Sequence, residues 1–112
     1  MAKPPPSVPA QEQSGVGPDT LGALPPRYRQ LFIDTMNLDL AALENALARH
    51  DAAEAAHTLH RIRGAFASLQ IPHPEGHSDA LEYTLQTTGL SAAAQAQVRN
   101  VISRLRSLLR GA

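Results

Sequence analysis

The stretch Ala52-Ala53-Glu54-Ala55-Ala56-His57-Thr58-Leu59-His60-Arg61-Ile62-Arg63-Gly64-Ala65-Phe66-Ala67-Ser68-Leu69 decides the fold. At about 100° per residue, Ala55, Leu59, Ile62, Phe66 and Leu69 gather on one side of a helix. His60 lies off that stripe and is expected in solvent. Around it stand Ala53, Ala56, His57, Gly64 and Ala67, most of them small. An ordinary exposed histidine would be ringed by long polar side chains. A ring of small residues leaves a shallow surface where another protein can come close. Glycine inside a helix costs about 1 kcal/mol relative to alanine. Gly64 therefore needs a reason: close approach of a partner, or packing where two helices cross.

Outward from this helix the chain stays helical. Alanine and leucine dominate, and both lose little freedom in a helix. The aromatics are Tyr28, Phe32, Phe66 and Tyr83, so the core is mainly aliphatic. No stretch alternates as a strand would. Five helical segments fit: 26–35 with Tyr28, Leu31 and Phe32 inward, 39–50 with Leu40, Leu43 and Leu47, 52–69, 75–87 with Leu81 and Leu85, and 92–110 with Val98, Ile102, Leu105 and Leu109. Asn37 or Asp39 can cap the second segment, Asp51 the third and Ser91 the fifth. Pro72 and Pro74 break the chain between the third and fourth, and Gly89 stops the fourth. Short connections imply antiparallel neighbours. The expected fold is all-α: an up-down antiparallel four-helix bundle with an additional N-terminal helix.

Residues 1–24 hold Pro4, Pro5, Pro6, Pro9 and Pro18 among polar residues and read as a flexible tail or linker. Residues 25–112 are expected to form the one domain that 112 residues allow. The chain has no cysteine, and ten basic residues balance ten acidic ones. Disulfides and thiolate metal sites are excluded, and nucleic-acid binding is disfavoured. No apolar run suggests a membrane span and no signal peptide opens the chain, so the expected location is cytoplasmic. Glu54 and His57 have the spacing used in di-iron bundles, but such sites need two copies and further glutamates. Arg99, Arg104, Arg106 and Arg110 make the last segment basic. Both a solvated face and a footprint for an acidic partner fit them.

The chemistry of His60 follows from its neighbours. Free imidazole titrates near 6.5, so a nucleophilic neutral ring is available at neutral pH. Phosphoryl transfer needs in-line positioning and positive charge near the transferred oxygens, which Arg63 and Arg61 can supply. His60-Arg61-Ile62-Arg63-Gly64-Ala65 resembles the motif of histidine phosphotransfer (HPt) domains: histidine, any residue, an aliphatic residue, lysine, glycine, then small residues. Asp39 to Leu47 resembles the preceding helix of that family, Arg49-His50-Asp51 its short turn, and Ala80-Leu81-Glu82 the Leu-Glu of the following helix. The resemblance covers roughly residues 27–110.

It implies a phosphocarrier rather than an enzyme. His60 would take a phosphoryl group from a receiver-domain aspartate and hand it to another. Arg63 and Arg61 would support the phosphate, and His57, Gly64, Ala53, Ala56 and Ala67 would form the dock. No cofactor belongs to the module itself; the receiver brings Mg²⁺. The expected partners are receiver domains of response regulators or a hybrid sensor kinase, met by a monomer, and such domains often stand at the C-terminus of hybrid sensor kinases. A helical docking module without phosphotransfer is the alternative. Two positions depart from the family pattern: its lysine is Arg63, and its frequent glycine at the end of the active helix is Gln70.

Overall fold

The computed structural model describes residues 21–71 and 78–111. Its four full helices are α1 (Pro26–Ala48), α2 (Ala52–Ser68), α3 (Ser78–Thr88) and α4 (Ala92–Gly111). They pack in a ring: α1 on α2, α2 on α3, α3 on α4 and α4 back on α1. Helices α2 and α4 therefore stand diagonally. The all-α bundle is as the periodicity implies. Residues 1–20, the segment from Pro72 to His77 and Ala112 lie outside the described residues. The tail, the proline break and the start of the fourth helix at Glu75 therefore fall largely there.

Two expectations change at the N-terminal end. Segments 26–35 and 39–50 are one continuous helix, α1, 23 residues long. No proline or glycine interrupts residues 35–39, and the inward stripe runs unbroken through Phe32, Met36, Leu40 and Leu43. Asn37 and Asp39 are not caps; Asp39 is a buried mid-helix residue. Tyr28 and Leu31 face outward, and only Phe32 of that trio is buried. Packing also begins before residue 25, because Leu21 is fully buried and Leu24 lies against the core.

The core joins the inward stripes of all four helices: Met36, Leu40 and Leu43 of α1, Leu59, Ile62 and Phe66 of α2, Leu81 and Leu85 of α3, Val98 and Leu105 of α4. Phe32 meets Phe66 edge to face at 5.2 Å, fixing α1 against α2. Such a pair contributes about 0.5–1.5 kcal/mol beyond its burial. Asp51 caps α2 by accepting from the Glu54 amide at 3.0 Å, and Ser91 caps α4 by accepting from the Ala94 amide at 3.1 Å.

Helices α1 and α2 end in the same way. At the end of α1 the His50 amide donates to Leu47 and the Asp51 amide to Ala46. At the end of α2 the Gln70 amide donates to Ala67 and the Ile71 amide to Phe66. This is the Schellman arrangement, whose penultimate residue sits at positive φ and favours glycine. Here His50 has φ 55° and Gln70 has φ 57°. A left-handed residue with a side chain costs roughly 1–2 kcal/mol, partly offset by the freedom glycine loses on folding. Gln70→Gly is therefore expected to stabilise the bundle by about 1 kcal/mol and raise Tm by about 4–8 °C in thermal unfolding. An unchanged or lower Tm would contradict the left-handed geometry.

Candidate functional site

His60 stands at mid-length on α2, with a side chain 66% exposed. One helical position is about 100°, so its neighbours in sequence diverge in space. Arg61 turns towards α1, where its Nε and Nη2 both donate to Asp39 Oδ1 at 3.2 and 3.1 Å. Arg63 turns the other way, towards α3. Its Nε donates to Glu82 Oε2 at 2.8 Å and its Nη2 to Glu82 Oε1 at 3.1 Å. Arg61 is thus an interhelical tie for the buried Asp39 rather than a free phosphate ligand. Arg63 remains beside His60, already engaged with a carboxylate.

Glu82 is the residue that sequence reading left without a role. It is buried, between Leu81 and Tyr83 on α3. His60 Nδ1 lies 3.2 Å from Glu82 Oε1 and 3.1 Å from Arg63 Nη2. Both contacts cannot be hydrogen bonds at once. The guanidinium can only donate, so the second needs a bare Nδ1, and the first needs a protonated one. With Nδ1 protonated, all three donors end on Glu82: Arg63 Nε, Arg63 Nη2 and His60 Nδ1. With Nδ1 bare, a lone pair would face the carboxylate. The arrangement favours the Nδ1–H tautomer, which leaves the lone pair on Nε2.

Burial works to raise the Glu82 carboxyl, but hydrogen bonds from Arg63 and His60, together with the charge of Arg63, outweigh it and hold the group below its ordinary value. The hydrogen bond to Glu82, then its charge, pushes the Arg63 guanidinium up. A carboxyl depressed on folding contributes stability above its unfolded value and loses it as pH falls through the folded value. The wild type should therefore lose stability below pH 4.5, the ordinary value of this group, more steeply than Glu82→Gln. At neutral pH the variant should be less stable by about 1 kcal/mol, because Arg63 is partly exposed and water replaces part of the pair. Denaturant midpoints measured against pH read both effects, and parallel acid limbs would refute the assignment.

The small-residue surface is largely as expected, with one correction. Ala53, His57, Gly64 and Ala67 are exposed. Ala56 is buried at 1% exposure and cannot meet a partner. By helical phase it lies on the flank of His60 on which Arg63 reaches Glu82, the side where α2 packs against α3. A Cβ added at Gly64 would meet nothing within 4 Å. Helix crossing therefore does not require this glycine, and its bare backbone faces solvent. Beside it runs a groove of about 180 Å³ between Tyr28, Leu31 and Thr35 of α1 and Ala65, Ser68 and Leu69 of α2. Tyr28 is 47% exposed and Leu31 62% exposed, so this rim adds apolar area to the small-residue surface.

An exposed histidine on the second helix of a four-helix ring, followed at three and four positions by a cation and an open glycine, is a specific arrangement. The family model of the Hpt domain matches residues 27–109. The chain belongs to the Hpt domain family. The match begins within the first turn of α1 and ends in the last turn of α4, so this Hpt domain is the bundle just described. No curated protein and no solved structure gave a match. The family places the chain in histidine phosphotransfer within two-component signalling, as a phosphocarrier rather than a kinase, working with receiver domains. Among the described residues, no helix of this Hpt domain is long and apolar enough to cross a membrane.

Proposed function

We propose that His60 is the phosphoryl-accepting residue of this Hpt domain, that it takes its group from an aspartyl phosphate of one receiver, and that it returns it to the aspartate of another. The support is the exposed imidazole whose Nδ1 is turned onto a buried carboxylate. In that orientation the Nε2 lone pair points away from Glu82 and attacks phosphorus in line. The new bond is Nε2–P, the bond broken is that between phosphorus and the aspartate oxygen, and the aspartate leaves as a carboxylate. The ring keeps its Nδ1 proton and gains positive charge, which Glu82 faces. The return step reverses these changes.

Arg63 can turn one N–H from Glu82 to a phosphoryl oxygen without leaving the carboxylate entirely. Its planar fork has donors to divide between two acceptors, which a lysine ammonium would do as a point charge. The receiver supplies Mg²⁺ for the aspartyl phosphate. Gly64, Ala53, His57 and Ala67, with the Tyr28–Leu31 rim, form the dock. This reading places the domain in the cytoplasm, where receivers work.

The test is transfer of labelled phosphoryl groups from charged receiver domains to the full chain, followed by mapping of the label. Acid-labile, base-stable label on Nε2 of His60 is the expected result. Receivers that bind yet never pass label, although shown to be charged, would instead favour a docking module without phosphotransfer.

A further inference from the structure

Helix α4 carries charge that the His60 site does not use. Arg99, Arg106 and Arg110 stand at positions i, i+7 and i+11, which fall within about 40° of one another around a helix. They form one wall of an open groove between α4 and α1, with a volume of about 530 Å³. Leu47 and Ile102 lie among the residues that line it, and Glu44 stands on the α1 side. Glu44 accepts from Arg106 at 2.9 Å. Arg110 donates to Ser107 at 3.1 Å, and neither Arg99 nor Arg110 has an acidic partner among the described residues. The groove is therefore cationic along α4, with an apolar floor of partly buried Leu47 and of Ile102, 6% exposed. It lies across the bundle from His60, because α4 stands diagonally from α2.

The spacing of the charges narrows the occupant. From Arg99 to Arg110 the helix rises about 16 Å. One inorganic anion would reach a single end of that row. A helical segment of about three turns spans all of it, with acidic residues towards the arginines and apolar residues towards Leu47 and Ile102. Exposed arginines gain little from isolated surface pairs, but a desolvated row facing several carboxylates gives register and a fast association rate.

We propose that the α1–α4 groove is a second docking site, for an acidic amphipathic helical segment of a partner protein, and that it can be filled while the His60 face is free or engaged. A phosphocarrier must exchange receivers at one face, and a tether at the opposite face would hold a partner nearby during the exchange. The site stands apart from the chemistry of His60, so it does not depend on whether that residue carries phosphate.

The test uses the full chain and a random library of displayed peptides about 16 residues long. Enriched peptides should carry spaced Asp or Glu with Leu or Ile between them. Their amide NMR footprint should cover residues 44–48 and 99–110 and leave residues 57–64 unchanged. Arg99→Glu with Arg110→Glu keeps the Arg106–Glu44 pair and should weaken binding by about tenfold or more, with circular dichroism unchanged. Arg99→Lys with Arg110→Lys keeps the charge and should stay within about threefold of wild type. Failure to enrich any peptide, enrichment without acidic residues, equal binding to the charge-reversed variant, or a footprint at residues 57–64 would each overturn the proposal. Pyrophosphate that displaces the peptide and reproduces its footprint would overturn it too, by making the groove a site for small anions.

Discussion

His60→Gln should reduce phosphoryl acceptance to background while leaving the bundle folded and almost as stable as before. The loss follows from chemistry: an amide nitrogen has no available lone pair to attack phosphorus, whatever its position. The retained stability follows from packing. The histidine side chain is 66% exposed, and its Nδ1–H donates to Glu82, to which the glutamine amide can also donate. Exposed substitutions of this kind stay within about 0.5 kcal/mol, and glutamine has the better helix propensity. The two measurements are label transfer from a charged receiver and thermal unfolding. Background label with an unchanged Tm is the expected pair. A large drop in Tm would make His60 a structural residue, and surviving label would move the acceptor to another histidine, with exposed His57 the first to examine.

What the sequence could disclose here is set by distance along the chain. The α2 stripe, the Asp51 and Ser91 caps and the exposure of His60 all depend on residues within a few positions of one another, and all were legible. The continuity of α1 was not. The stripe through Phe32, Met36, Leu40 and Leu43 is local, but Asp39 has the composition of a cap, and the partner of its buried carboxylate is Arg61, 22 positions away. Glu82 was hidden for the same reason: its partners Arg63 and His60 lie 19 and 22 positions away. A local trace of it did exist, since it interrupts the apolar run of α3 next to Leu81, and a buried carboxylate asks for cations. Ala56 shows a further limit. Its angle from His60 is small, but whether that flank meets water or α3 depends on where the third helix crosses. Periodicity gives the phase of a helix, whereas the neighbours on its flanks come from the tertiary arrangement.

Gly64 is where stability and function are expected to part. A Cβ there meets nothing within 4 Å, so Gly64→Ala should stabilise the helix by about 1 kcal/mol and raise Tm by about 4–8 °C. Gly64→Gln should also raise Tm, since glutamine is a good helix former and its side chain extends into solvent. Transfer should move in the opposite direction. A receiver that lies flat against α2 must approach the backbone one turn beyond His60, and glutamine fills that space. Losing about 1.4 kcal/mol of docking energy is tenfold in efficiency, and a side chain of this length should cost at least that, with alanine in between. A glycine that lowers helix stability where packing leaves room for a side chain is the pattern of a position held for function. Stopped-flow transfer from one charged receiver to wild type, Gly64→Ala and Gly64→Gln, read beside their melting curves, decides the matter. If all three transfer equally well while Tm rises, the partner does not approach there, and the docking face must shift towards the exposed rim of Tyr28 and Leu31 on α1.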